Sequence, residues 1–145
     1  MMSTSELERS SVSVVTENDI VTARQTGRSM AASLGFNETD QTLIATAISE
    51  VARNLISYGG GGDVHFEIVE RGGDKGLNVK AVDQGPGIVD IDKAMQDGFS
   101  TVKSLGLGLP GARRLMDDFE ISSEPGRGTS VTMVKWAGSS GKLTW

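Results

Sequence analysis

"DQGPGIVDIDKAMQDGFSTVKSLGLGLPGARRLM" occupies residues 83–116. A strand-like run, "LNVKAVD", delivers the chain to Asp83, and a helix-like run, "LPGARRLMDDF", carries it away. One glycine cluster opens the stretch and another closes it, with a weak, partly charged segment between. Glycine loses more backbone freedom on folding than any other residue, so two such clusters need a reason. After a strand, Gly85 and Gly87 let a flat ring approach the main chain, and Pro86 sets the turn. Before a helix, "GLGLPG" presents backbone N–H groups and a partial positive charge to an anion. Pro110 suits the first helical turn, where its missing N–H costs nothing.

The flanks give the architecture. "DVHFEIVE" alternates Val64, Phe66 and Ile68 with His65 and Glu67, as a half-buried strand does. "RGGDKG" is turn material, and "LNVKAVD" alternates again, so the two form an antiparallel hairpin. Upstream, "VSVV" reads as a short strand. A helix over about residues 19–34 follows, capped by Asn18 or Thr16 and stopped by Gly35. A second helix runs over about residues 39–57 and ends in "GGGG" at 59–62. Downstream of the helix in "LPGARRLMDDF", "EISS", "EPGRG" and "TSVTMVKW" read as strand, turn and strand. The order is β-α-α-β-β-α-β-β. It predicts an α+β fold, a two-layer α/β sandwich whose sheet is mixed and mostly antiparallel, with the helices on one face. Residues 1–145 read as one domain, with loose tails at 1–11 and 137–145.

Bulk chemistry narrows the function. The chain has 145 residues and no cysteine, which excludes disulfides, thiolate zinc sites and thiol nucleophiles. The formal net charge is -5 and no Lys/Arg run stands out, which argues against nucleic acid. No apolar stretch approaches the ~18 residues of a membrane span, and the polar start lacks a signal core. A cytoplasmic location is the expectation.

On a wheel of the second helix, Leu43, Ile44, Ala47, Ile48, Val51 and Leu55 share an apolar arc ~140° wide. Glu50 and Asn54 lie one turn apart at the edge of that arc, while Ser49 and Arg53 take the solvent side. An acid and an amide at a core boundary need partners or a purpose. One reading is an edge pair satisfied by neighbouring backbone. The other aims both into a pocket, the amide oxygen for a hard cation such as Mg²⁺ and the carboxylate for a nucleophile.

Each glycine box alone is weak. "DQGPG" is a common turn, and "GLGLPG" is neither a Walker loop nor a Rossmann fingerprint. Their order is specific. "SEVARN", "DQGPG", "GLGLPG" and "GRGTSV" follow one another over about residues 39–134. That set resembles the GHKL superfamily of ATP-binding domains, which holds gyrase, heat-shock protein 90, histidine kinases and MutL. Within it the chain is most similar to the small anti-sigma-factor type of serine/threonine kinase. "DGFSTVKSLGLGLPGARRLMDDFEISSEPGRGT" looks like the switch kinases of bacterial stress-response modules.

The resemblance implies roles. Glu50 would be the catalytic base, and Asn54 would hold Mg²⁺ bridging the phosphates. Asp83 would bind the adenine amino group, with Gly85 and Gly87 forming the adenine-side turn. Gly106, Leu107, Gly108, Leu109 and Gly111 would frame the phosphates, and Thr129 would reach the adenine side. Residues 91–105, with Ser100, Thr101 and Lys103, would form a lid over ATP. The implied activity is ATP- and Mg-dependent phosphorylation of serine or threonine on STAS-domain partners of the RsbS and RsbR type. On release the kinase would activate an RsbU-like phosphatase. The alternative is a nucleotide-gated binding module that sequesters a sigma factor. His65, the only histidine, reads as a structural or surface residue. Arg113 and Arg114 read as exposed, Met30, Met95, Met116 and Met133 as core or gap filler, and Trp136 as packed.

Overall fold

Period-two alternation and two capped helices build the frame expected of them. The structure, a computed structural model, describes residues 9–83, 108–124 and 128–137. Five strands and three helices follow in the expected order: β1 (Arg9–Val14), α1 (Glu17–Ser33), α2 (Glu38–Gly59), β2 (Gly62–Arg71), β3 (Asp74–Asp83), α3 (Gly108–Leu115), β4 (Asp118–Glu124) and β5 (Gly128–Trp136). The strands lie in the order β1-β2-β3-β5-β4. The sheet was expected to be mixed and mostly antiparallel; every pairing among the described residues is antiparallel.

Local chemistry sets the helix ends. Of the two caps considered for α1, Thr16 takes the position. Asp19 reaches back to accept the N–H groups of Val15 and Thr16, each at 2.9 Å. Those two bonds stabilise the charged carboxylate and hold its pKa below the ordinary 3.8. Asn37 caps α2 by accepting the Asp40 N–H at 2.7 Å. Gly60 ends α2 in the left-handed region, at φ 72°.

Alternation along β2 and β3 sorts the sheet's two faces. Val64 and Phe66 pair with Ala81 and Val79 and are fully buried or nearly so. His65 is exposed and pairs with exposed Lys80, so it is a surface histidine, with Ser11 Oγ 2.7 Å from its Nδ1. The buried face meets Ile44, Ile48, Val51 and Leu55 of α2. Burying one side chain such as Phe66 stabilises the fold by roughly 1.5–3 kcal/mol. Met116 and Met133 are core, and Met30 packs at its margin.

Two expectations need correction. The first strand begins at Arg9 rather than Val12, inside the stretch read as a loose tail, because pairing with Glu67, Phe66 and His65 orders Arg9 to Ser11. Ser49 does not take the solvent side. It is only 9% exposed and donates to the Ala45 carbonyl at 3.0 Å. Helix α2 touches α1, α3 and the sheet, so its buried surface reaches Ala45 and Ala52, beyond one apolar arc. The 91–105 stretch, Gly85, Gly87, Gly106, Leu107 and Met95 lie outside the described residues. No described helix is long and apolar enough to cross a membrane.

Candidate functional site

The apolar row of β3 that faces the helices runs Leu77, Val79, Ala81 and then Asp83. An acid therefore takes the last place in a hydrophobic row. Its carboxylate does not stand in open solvent. It is 6% exposed and Oδ1 accepts the Thr129 N–H at 3.2 Å. Thr129 opens β5 just after Gly128, whose φ is 93°. The Thr129 hydroxyl lies 2.9 Å from Ser123 Oγ on β4. Three strands thus meet at one carboxylate and two hydroxyls.

Across from Asp83 on β2 stands Gly62. A Cβ there would lie 2.2 Å from the Val82 carbonyl oxygen and 3.1 Å from both Asp83 Cα and Leu55 Cδ2. Only glycine admits that approach of α2 to the end of the sheet. Leu55 directly follows Asn54, so the amide-bearing turn of α2 sits over the strand end that carries Asp83.

One turn before Asn54, Glu50 is 7% exposed. Its Oε1 accepts the Gly108 N–H at 3.0 Å, across 58 positions of sequence. Gly108 starts α3 at φ 53°, a left-handed conformation that side chains rarely adopt. The carboxylate faces the partial positive charge of the helix start and satisfies one of its N–H groups. Oε2 lies 3.5 Å from Arg53 Nη1. Arg53 was expected to face solvent; its side chain is one-third exposed and folds back on Glu50. Composition alone gave no hint of that pairing, although an i,i+3 acid–base pair on one helix is a signal available in sequence.

The structure therefore gathers expected residues into two pairs, Glu50 with Gly108 and Asp83 with Thr129. Asn54 is half-buried between them along α2. Gly111 is buried in α3, and the Leu109 side chain belongs to the core at 2% exposure. Arg113 and Arg114 are exposed, as expected. Ser123, not singled out in the sequence, joins the Thr129 hydroxyl.

Metal chemistry can be tested against these donors. No cluster of three His, Cys, Asp or Glu occurs among the described residues. A dedicated protein cage is therefore not built from them. One neutral amide oxygen on a half-buried turn fits Mg²⁺, which takes few protein ligands and completes its shell with phosphates and water.

An antiparallel sheet backed by helices, with a buried acid on the middle helix facing a glycine-opened helix, defines a class of nucleotide-binding domain. The family model for the histidine kinase-like ATPase domain matches residues 14–135, and the chain belongs to that family. Its branch follows from its relatives. The chain is 54% identical over 129 residues to serine/threonine-protein kinase RsbT of Bacillus subtilis (strain 168), covering 89% of this chain and 97% of that protein. It is 37% identical over 101 residues to the anti-sigma F factor of Thermoanaerobacter sp. (strain X514), covering 66% of this chain and 70% of that one. The fold is shared with a crystal structure of the RsbU and RsbW domains of a Mycobacterium tuberculosis protein, at TM-score 0.60 and 22% identity. That match covers 88% of this chain, which spans 32% of the crystallised one. The enzyme class is protein kinase, in an ATP-using family.

Proposed function

We propose that this chain transfers the γ-phosphoryl group of ATP to a serine or threonine hydroxyl on a STAS-domain partner of the RsbS or RsbR type. The reading continues through a partner switch. Phosphorylation of the antagonist breaks one complex, and the released kinase binds and activates an RsbU-like phosphatase in a cytoplasmic, stressosome-linked stress response. The likeness to serine/threonine-protein kinase RsbT supports transfer to a serine or threonine.

One observation carries the chemistry: the buried Glu50 carboxylate lies against the first N–H of α3. Phosphoryl transfer asks little covalent work of the protein and depends on positioning and charge. Gly108 and Gly111 offer main-chain N–H groups for phosphate oxygens at a helix start. Glu50, beside them, accepts or orients the proton of the incoming hydroxyl. Asp83, held by the Thr129 N–H, would accept a hydrogen bond from an exocyclic amine. Asn54 would hold Mg²⁺, which supplies charge neutralisation to the phosphates. The remaining assigned residues, Gly85, Gly87, Gly106 and Leu107, belong to the same reading.

The test uses γ-labelled ATP, Mg²⁺ and a purified STAS-domain protein, with wild type beside Glu50→Gln. Label on the partner from wild type alone supports the kinase reading and the base. Equal labelling by Glu50→Gln removes Glu50 from the chemistry. The anti-sigma F likeness favours a second reading, in which nucleotide sets a surface that sequesters a sigma factor. Tight nucleotide binding with no transfer to the STAS-domain protein would point to it.

A further inference from the structure

Glu50 divides its two oxygens between two partners. Oε1 takes the Gly108 N–H at 3.0 Å, and Oε2 faces Arg53 Nη1 at 3.5 Å. These contacts have different futures when a nucleotide arrives. The Gly108 N–H belongs to the box that faces phosphate oxygens in the proposed function, on which this inference rests. A phosphate is the more highly charged anion and competes for that donor. The guanidinium of Arg53 is not part of the box. It lies on α2 itself, one turn from Glu50, so it travels with the carboxylate whatever occupies the glycine box.

We infer that Arg53 is the positioning residue for Glu50. It holds Oε2 when phosphate takes Gly108 from Oε1, and so leaves Oε1 aimed at the acceptor hydroxyl. Two features favour this role over a surface ion pair. Glu50 is 7% exposed, and the contact is therefore screened less than one between two solvated side chains. The i,i+3 spacing on a helix buried along most of its length fixes both Cα positions, so little besides the two side chains can move. A lysine in place of Arg53 would supply the charge as a single point, without the planar fork that orients a carboxylate.

Three variants test it in the labelled transfer assay with a STAS-domain protein: Arg53→Ala, Arg53→Lys and Arg53→Ala/Glu50→Gln. A misplaced reacting group costs up to about 100-fold, so Arg53→Ala should lower kcat roughly 10- to 100-fold. Its KM for ATP should stay within about twofold, because the loss falls on the transition state rather than on nucleotide binding. Arg53→Lys should recover part of that loss. In the Glu50→Gln background, Arg53→Ala should cost less than about twofold more, since the group it positions is gone. A second readout needs no partner and no nucleotide. Amide exchange at Gly108 in the free protein should quicken roughly tenfold in Arg53→Ala, as its acceptor loses a tether.

An undiminished kcat in Arg53→Ala, with wild type active, overturns the inference alone. So does an equal further loss in the Glu50→Gln background, which would make Arg53 act independently of Glu50. Unchanged exchange at Gly108 overturns the tether itself. A wild type that transfers nothing overturns the kinase reading, and the catalytic part of the inference falls with it.

Discussion

Strand β5 meets carboxylates at both ends, one at its start and two at its finish, and the two ends use them differently. At its start, Asp83 accepts the Thr129 N–H and is 6% exposed. At its finish, Asp117 accepts the Trp136 N–H at 2.7 Å, and Asp118 accepts the Trp136 indole N–H at 2.8 Å. The far-end acids are wetter. Their side chains are 29% and 52% exposed, with Lys135 at 3.7 Å from Asp117 and Arg71 at 3.9 Å from Asp118. Arg71 also stacks over the Trp136 ring, 4.3 Å from its centroid. The same bond, carboxylate to main-chain N–H, is a staple in water at one end. At the other it lies in low dielectric, where each polar contact is stronger and each lost contact costs more. Position in the sheet, not residue type, separates the buried carboxylate from the solvated ones.

The comparison can be broken by moving charges at either end. The largest effect is expected at the buried carboxylate on α2. Glu50→Gln should lower phosphotransfer by ~10²–10⁴-fold, the range of general base catalysis, with nucleotide binding largely kept. The labelled assay reads the first and calorimetry the second. Next, Asp83→Asn should weaken ATP binding by ~10–100-fold, the worth of a hydrogen bond to a charged group. Unchanged affinity by calorimetry would remove Asp83 from the adenine side.

The far end should answer in stability and not in activity. Asp118→Ala removes the indole acceptor and should cost about 1 kcal/mol by urea unfolding, with labelling of the partner unchanged. A loss of transfer as deep as that of Glu50→Gln would erase the distinction between the ends. The smallest effect belongs to an acid at neither end. Asp19 has a pKa lowered by the Val15 and Thr16 N–H groups. Its contribution to stability is therefore present above the unfolded value, about 3.9, and is lost as pH falls through the lower folded value. Asp19→Asn should lower Tm at pH 7, and the gap to wild type should close progressively below about pH 3.9. A gap independent of pH would deny the charge its part in the cap.

Most of the frame was legible because it is local. Alternation placed Val64, Phe66 and Val79 inward and His65 outward, and the helical period put Glu50 and Asn54 one turn apart. The eight elements came in the expected order. What sequence did not disclose was tertiary. Ser49 and Arg53 sat on the polar side of a single-arc wheel, but α2 is wedged between α1 and α3, and a second contact line buries Ser49. Glu50 also takes the Gly108 N–H, a partner 58 positions away that no local pattern discloses. Asp83 was legible as a strand-terminal acid. Its burial was not, since that depends on β5 entering the sheet between β3 and β4. The Ser123–Thr129 contact has the same origin.

The two anchored carboxylates also shape how such a chain can diverge. Asp83 is tied by Thr129 and Gly108 by Glu50, so residues 84–107 are spliced between two fixed posts. Joining fixed points costs entropy that grows only with the logarithm of the connecting length, about 0.6 kcal/mol per doubling. Lengthening or shortening that insert therefore taxes folding lightly. The posts carry the architecture, so the chain can be lengthened or cut between its two glycine boxes while the boxes themselves are kept.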